Sequence, residues 1–165
     1  MGRITGMLRS LVRPSSRPAP KPSAPSERPT AHVGAVTTRP DTKPSITYAP
    51  HPDGDADPGE VVWTWVPYED DPRQGKDRPV LVIGTLGRDL AVLPLTSKNH
   101  TGHADCIELG SGAWDPSRRV SYVKLDRVLR VPSKKIRREG ATLDRARFDH
   151  VVAKLASYHT QTGSN

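Results

Sequence analysis

Two side chains in this 165-residue chain have the type and setting to act on a phosphate diester. Arg78 carries a permanently charged guanidinium with five donors in a fixed fork, and Thr96 carries a small hydroxyl. Arg78 stands just before Pro79 and the apolar run 80–83, and Thr96 just after the apolar run 90–95. If those runs are neighbouring strands, cation and hydroxyl meet at one end of a sheet, where together they can grip and polarise a phosphate. The same residues also suit an ion pair of Arg78 with Asp77 and a threonine that closes a turn. Local sequence leaves both readings open.

The elements that must position the pair are short. Residues 60–66 are rich in strand formers, with Val61, Trp63 and Trp65 on one face. Residues 80–83 and 90–95 are continuous apolar runs bounded by Pro79, Gly84 and Gly87, which favours strands over a core helix. Pro79 is expected at the first position of its strand, where its missing N–H does no harm. Residues 67–77 and 98–104 read as polar loops, 105–109 as a short strand, and 110–119 as a loop in which Trp114 closes one end of the core. Residues 121–131 form the longest extended region, interrupted at Asp126-Arg127-Val128 as by a bulge. The period then becomes helical: Phe148, Val151, Val152 and Leu155 share a stripe, with Thr142 as expected N-cap, Asp144 in the first turn and Gly163 at the end. The expected fold is mainly β with a C-terminal helix, a small SH3-like barrel over residues 59–160 preceded by a tail over 1–58.

Composition frames that tail. Nine of the 17 prolines fall in the first 50 residues, among Ser, Thr, Ala and basic side chains, so apolar surface is too scarce to offset chain entropy and a disordered linker is expected. Residues 1–13 alone have an amphipathic basic pattern, read as a fraying extension. Charge is segregated. Residues 1–50 carry 8 Lys/Arg against 2 Asp/Glu, residues 51–77 carry 2 against 8, and residues 78–165 carry 15 against 8. A basic body with an acidic flank is compatible with a polyanion partner. Cys106 is the one cysteine, which excludes an internal disulfide and a multi-cysteine metal site and fits a reducing, cytoplasmic setting. The alternating Asp53, Asp55 and Asp57 lack the later glutamate of a calcium loop, so no metal is expected. No apolar run is long enough to span a membrane.

Five pieces in order resemble the MazF/PemK family of toxin endoribonucleases from type II toxin–antitoxin systems. Gly59-Glu60-Val61-Val62-Trp63 resembles the family's opening strand, and Arg78-Pro79-Val80-Leu81-Val82 its Arg-Pro strand. Val92-Leu93-Pro94-Leu95-Thr96-Ser97 resembles the strand that ends in the active-site threonine. Ser121 to Val128 resembles the late strand that turns through an acidic residue, and the terminal helix completes the set. The resemblance implies cofactor-free, metal-independent cleavage of single-stranded RNA to 2′,3′-cyclic phosphate and 5′-hydroxyl ends, with Arg78 and Thr96 catalytic. It also implies a homodimer held by a cognate antitoxin.

Softer RNA contacts are Ser97 and Lys98 after the threonine, and Arg73, Gln74 and Lys76 in the first loop. That loop is more acidic than the family's pattern. His100 and His103 invite acid–base chemistry but match no family motif and are read as surface histidines. The basic run Lys134, Lys135, Arg137 and Arg138 suits a polyanion backbone and solvent equally. Two other functions fit the same fold: a gyrase-binding toxin resembling CcdB, and a nucleic-acid-binding adaptor.

Overall fold

The computed structural model describes residues 43–51 and 53–163, all within the compact unit His32–Asn165. The amphipathic pattern at 1–13 and the proline-rich stretch to residue 42 lie outside the described residues. In chain order the elements are β1 (Ser45–Ile46), β2 (Glu60–Pro67), β3 (Gly75–Leu86), β4 (Asp89–Thr96), β5 (Cys106–Gly110), β6 (Ser121–Lys124) and β7 (Leu129–Val131). A 3₁₀ turn (Ser133–Lys135), β8 (Arg137–Thr142) and one α-helix, α1 (Arg145–Thr162), follow. The sheet is antiparallel, in the order β5-β6-β4-β3-β2-β8, with β1 on β3 and β7 on β4. Among the described residues the fold is therefore mainly β with a single C-terminal helix, as the pattern implies.

The β3–β4 hairpin is its centre. Leu86 faces Asp89 across a two-residue turn whose first residue, Gly87, has φ +66°, the left-handed backbone that favours glycine. Strand β3 is covered on both faces, which is why its sequence is a continuous apolar run rather than an alternation. Leu81, Ile83, Leu93, Leu95 and Val123 face α1, which adds Phe148, Val151 and Leu155. On the opposite face Val62, Val66, Val80, Val82 and Val92 pack with Leu129 and Val131. Trp114 is buried in the first cluster and donates its indole N–H to Ser121 at 3.1 Å.

Several expectations change. Pro79 lies inside β3, opposite Trp63, not at the strand's start. The β3–β4 ladder ends at Val80↔Pro94, so proline begins where β3 has already lost its β4 partner. Gly75 to Asp77 belong to β3, which shortens the polar loop to residues 68–74. The expected bulge near Asp126 splits its region into two strands that both return to β4: β6 pairs with Leu95 and Thr96, β7 with residues 90–92. Residues 43–51, assigned by composition to the tail, pack against the sheet and helix. β1 pairs at Gly84, where any Cβ would strike the Ser45 carbonyl. Tyr48 donates to the Leu143 carbonyl at 2.8 Å, stacks on Phe148 at 5.1 Å and lies 5.2 Å beneath the Arg145 guanidinium.

Thr142 is the last residue of β8, and the N-cap of α1 is Asp144, which accepts the Arg147 N–H at 3.0 Å. Removing that acceptor leaves a first-turn N–H without its cap. Asp144→Ala should cost about 1 kcal/mol, read as a midpoint shift in urea with an unchanged slope, whereas Thr142→Ala should cost no cap energy.

Candidate active site

The two sequence-derived residues stand near the same end of the β3–β4 hairpin, each paired with a different neighbouring strand. Thr64 of β2 faces Arg78, Thr96 faces Tyr122, and Tyr122 faces Glu108. The β3–β4 pairing ends at Val80↔Pro94, two residues short of both Arg78 and Thr96. Directly opposed residues in antiparallel strands point to the same face, so Thr64 and Arg78 form one row and Thr96, Tyr122 and Glu108 another, where the two strands part. Strand β4 leaves β3 here and turns Leu95 and Thr96 to β6.

Arg78, Pro94 and Lys124, from the three neighbouring strands, line a cleft of about 340 Å³. Tyr68, Glu69 and Arg127 border it from the adjoining loops. Asp77 is not the partner of Arg78: its carboxylate pairs with Arg137 at 2.8 Å. The Arg78 Nε is buried and has no hydrogen-bond partner among the described residues, a donor desolvated but unused. Thr96 is buried and accepts the Lys98 N–H at 3.2 Å through its hydroxyl oxygen, which leaves the hydroxyl hydrogen available. Thr96 lies in the next row from the cleft-lining Pro94 and is not itself part of that lining.

The softer candidates separate. Arg73 and Gln74 do not reach the cleft, because Asp71 accepts from both, from Arg73 Nε at 2.9 Å and Gln74 Nε2 at 3.0 Å. Those two donors, Arg73 first, hold the Asp71 carboxyl down at about 2. Lys76 is an exposed β3 residue two before Arg78, and Ser97 and Lys98 are exposed just after Thr96. His100 stacks edge-on against His103 at 5.2 Å and against Tyr122 at 6.3 Å, so it is tied to the Thr96 row rather than lying free on the surface. Cys106 is buried, and burial followed by the neighbouring Asp105 pushes its thiol up to about 11, so it is protonated and inert near neutral pH.

Four site residues were not singled out from sequence: Glu69, Lys124, Asp126 and Arg127. Lys124 Nζ lies 2.6 Å from Glu69 Oε1 and 3.2 Å from Asp126 Oδ2. Arg127 Nη1 is 3.4 Å from the same Glu69 oxygen and donates to the Pro67 carbonyl at 3.4 Å. Burial disfavours the Lys124 ammonium, but its hydrogen bond to Glu69 and the Asp126 charge outweigh that and hold its pKa above the ordinary value. The Lys124 hydrogen bond in turn lowers Glu69 against the effect of burial. The one available signal was the Lys-Leu-Asp-Arg order at 124–127, which places alternating charges where β6 ends.

Comparison with known proteins follows the geometry. No curated protein matches the chain. A MazE–MazF crystal structure from Deinococcus radiodurans contains a chain 21% identical to this one, aligned over 68% of this chain and 100% of that chain with a TM-score of 0.43. Residues 57–159 match the family described as the PemK-like, MazF-like toxin of type II toxin–antitoxin systems, a span that includes β2 to β8, nearly all of α1 and every residue of the cleft. The chain belongs to that PemK-like, MazF-like toxin family.

Proposed function

We propose that this chain is a metal-independent endoribonuclease toxin that cuts single-stranded RNA by transesterification. The observation that carries the reading is the Arg78 guanidinium: it lines a cleft, and its buried Nε has no hydrogen-bond partner among the described residues. RNA brings its own nucleophile. The 2′-hydroxyl gives its proton to water as its oxygen bonds to phosphorus, the bond to the 5′-oxygen breaks, that oxygen takes a proton from water, and the products are a 2′,3′-cyclic phosphate and a 5′-hydroxyl. The protein then needs only to position the diester and stabilise the charge that grows on the phosphorane. Arg78 neutralises the non-bridging oxygens. It is a poor proton donor because it stays charged, so its part is electrostatic. Thr96 donates a hydrogen bond to one of the same oxygens, and Lys124 is a second cation in the lining of the cleft.

A toxin of this class acts on cytoplasmic RNA, as a homodimer, and is silenced by a cognate antitoxin. An acidic antitoxin segment suits the cations Arg78, Lys124 and Arg127 of the cleft. Among the described residues no helix is long and apolar enough to cross a membrane. The test is incubation of the full chain with mixed-sequence single-stranded RNA in EDTA. Fragments ending in cyclic phosphate are expected. Intact RNA, with a folded and antitoxin-free chain, overturns the reading.

A further inference from the structure

We propose that Lys124 and Arg127 form a second phosphate subsite beside Arg78, and that the Glu69 carboxylate fills it as an internal anion until a backbone phosphate of the RNA displaces it. The inference rests on the nuclease reading and accounts for an acidic loop at the edge of a site for a polyanion.

Glu69 has the geometry of a substitute ligand. One carboxylate oxygen, Oε1, meets both cations, at 2.6 Å from Lys124 Nζ and 3.4 Å from Arg127 Nη1. The cations are fixed parts of the wall, their side chains only 19% and 17% exposed. Glu69 itself is 54% exposed and sits in the loop between β2 and β3. The mobile partner is therefore the anion. A phosphate diester presents the same feature, a charged oxygen with room for two donors.

Local charge fits one phosphate. Lys124 also faces Asp126 Oδ2 at 3.2 Å. With Glu69 in place, two cations meet two carboxylates and the subsite is neutral. With Glu69 swung out, Asp126 still balances one cation and the remaining +1 matches a single diester. Arg78 lines the same cleft and is free to hold the neighbouring, scissile phosphate. Binding then becomes an exchange of one anion for another, which weakens affinity for any strand that cannot occupy both subsites.

The experiment uses the full chain and an all-deoxy single-stranded oligonucleotide, which lacks the 2′-hydroxyl and cannot be cut. Dissociation constants are measured at fixed salt for wild type, Glu69→Gln, Asp70→Asn and Lys124→Ala, and for Glu69→Gln in the Lys124→Ala background, with melting curves for each. Glu69→Gln should bind about five- to twentyfold more tightly, from the loss of a two-cation competitor. Asp70 also lines the cleft but, unlike Glu69, is not ion-paired to Lys124 or Arg127, so Asp70→Asn removes the same charge from the cleft and should change binding less than about twofold. In the Lys124→Ala background the gain from Glu69→Gln should shrink to about the Asp70→Asn level. Unchanged or weaker binding by Glu69→Gln overturns the subsite, as does an equal gain from Asp70→Asn. RNA cleavage by wild type in EDTA is scored separately, so loss of the exchange with cutting intact refutes this inference alone. Absence of both cutting and binding by every variant refutes it together with the nuclease reading.

Discussion

Arg78→Ala should cut single-stranded RNA about 10²–10³ times more slowly than the wild-type chain, the effect of deleting one preorganised charge-stabilising donor at about 2.7–4 kcal/mol. Its melting temperature should not fall. The wild-type Nε is buried without a hydrogen-bond partner among the described residues, so truncation removes a desolvation cost and breaks no hydrogen bond at that atom. Arg78→Lys separates charge from shape. It keeps a cation in the cleft but loses the planar fork that meets two phosphate oxygens at once, so its rate should fall between the two. The measurement is a single-turnover rate on a defined RNA in EDTA, beside a thermal melt. Wild-type rates from a folded Arg78→Ala chain would remove Arg78 from the catalytic machinery. A loss of rate matched by a loss of folded protein would make it a structural residue.

The strands that carry this site were readable because β3 and β4 are continuous apolar runs with glycine and proline at their limits. Arg78 and Thr96 stood out because they flank those runs in the chain, and the hairpin leaves both near the end where β3 and β4 part. Lys124 and Glu69 were not, because the contact joins residues 55 apart whose meeting depends on β6 lying beside β4. Pattern also missed β8. Its sequence, Arg-Arg-Glu-Gly-Ala-Thr, has no strand-forming run and becomes a strand because β2 has an open edge. The N-cap moved for the same reason: β8 takes Thr142 into its pairing with Glu60, so the helix starts at the next capable side chain, Asp144. Tyr48 was hidden by the prolines around it. One aromatic ring with a place on Phe148 anchors residues 43–51, which composition averaged over 50 residues cannot register.

Leu81→Ala should produce the complementary result, a large loss of stability with the chemistry of the folded fraction kept. Leu81 has no exposed surface and sits at the middle of β3, opposite Val61 on one side and Leu93 on the other, within the cluster that α1 covers. Two strands and a helix hold its walls, so the space left by the truncated side chain cannot collapse easily, and the cost should lie near the centre of the usual range, about 3 kcal/mol. For a body of this size that corresponds to a melting temperature lower by about ten degrees. Leu81 is three residues from Arg78 but faces the helix-covered cluster, whereas Arg78 faces the cleft. At a temperature where the variant remains folded, its single-turnover rate on RNA should therefore stay within about threefold of wild type, while Arg78→Ala keeps its melting temperature and loses its rate. If instead Leu81→Ala lost as much rate as Arg78→Ala while folded, the two faces of β3 would not be separable, and positioning of Arg78 would depend on the core behind the strand as well as on the β2 neighbour beside it.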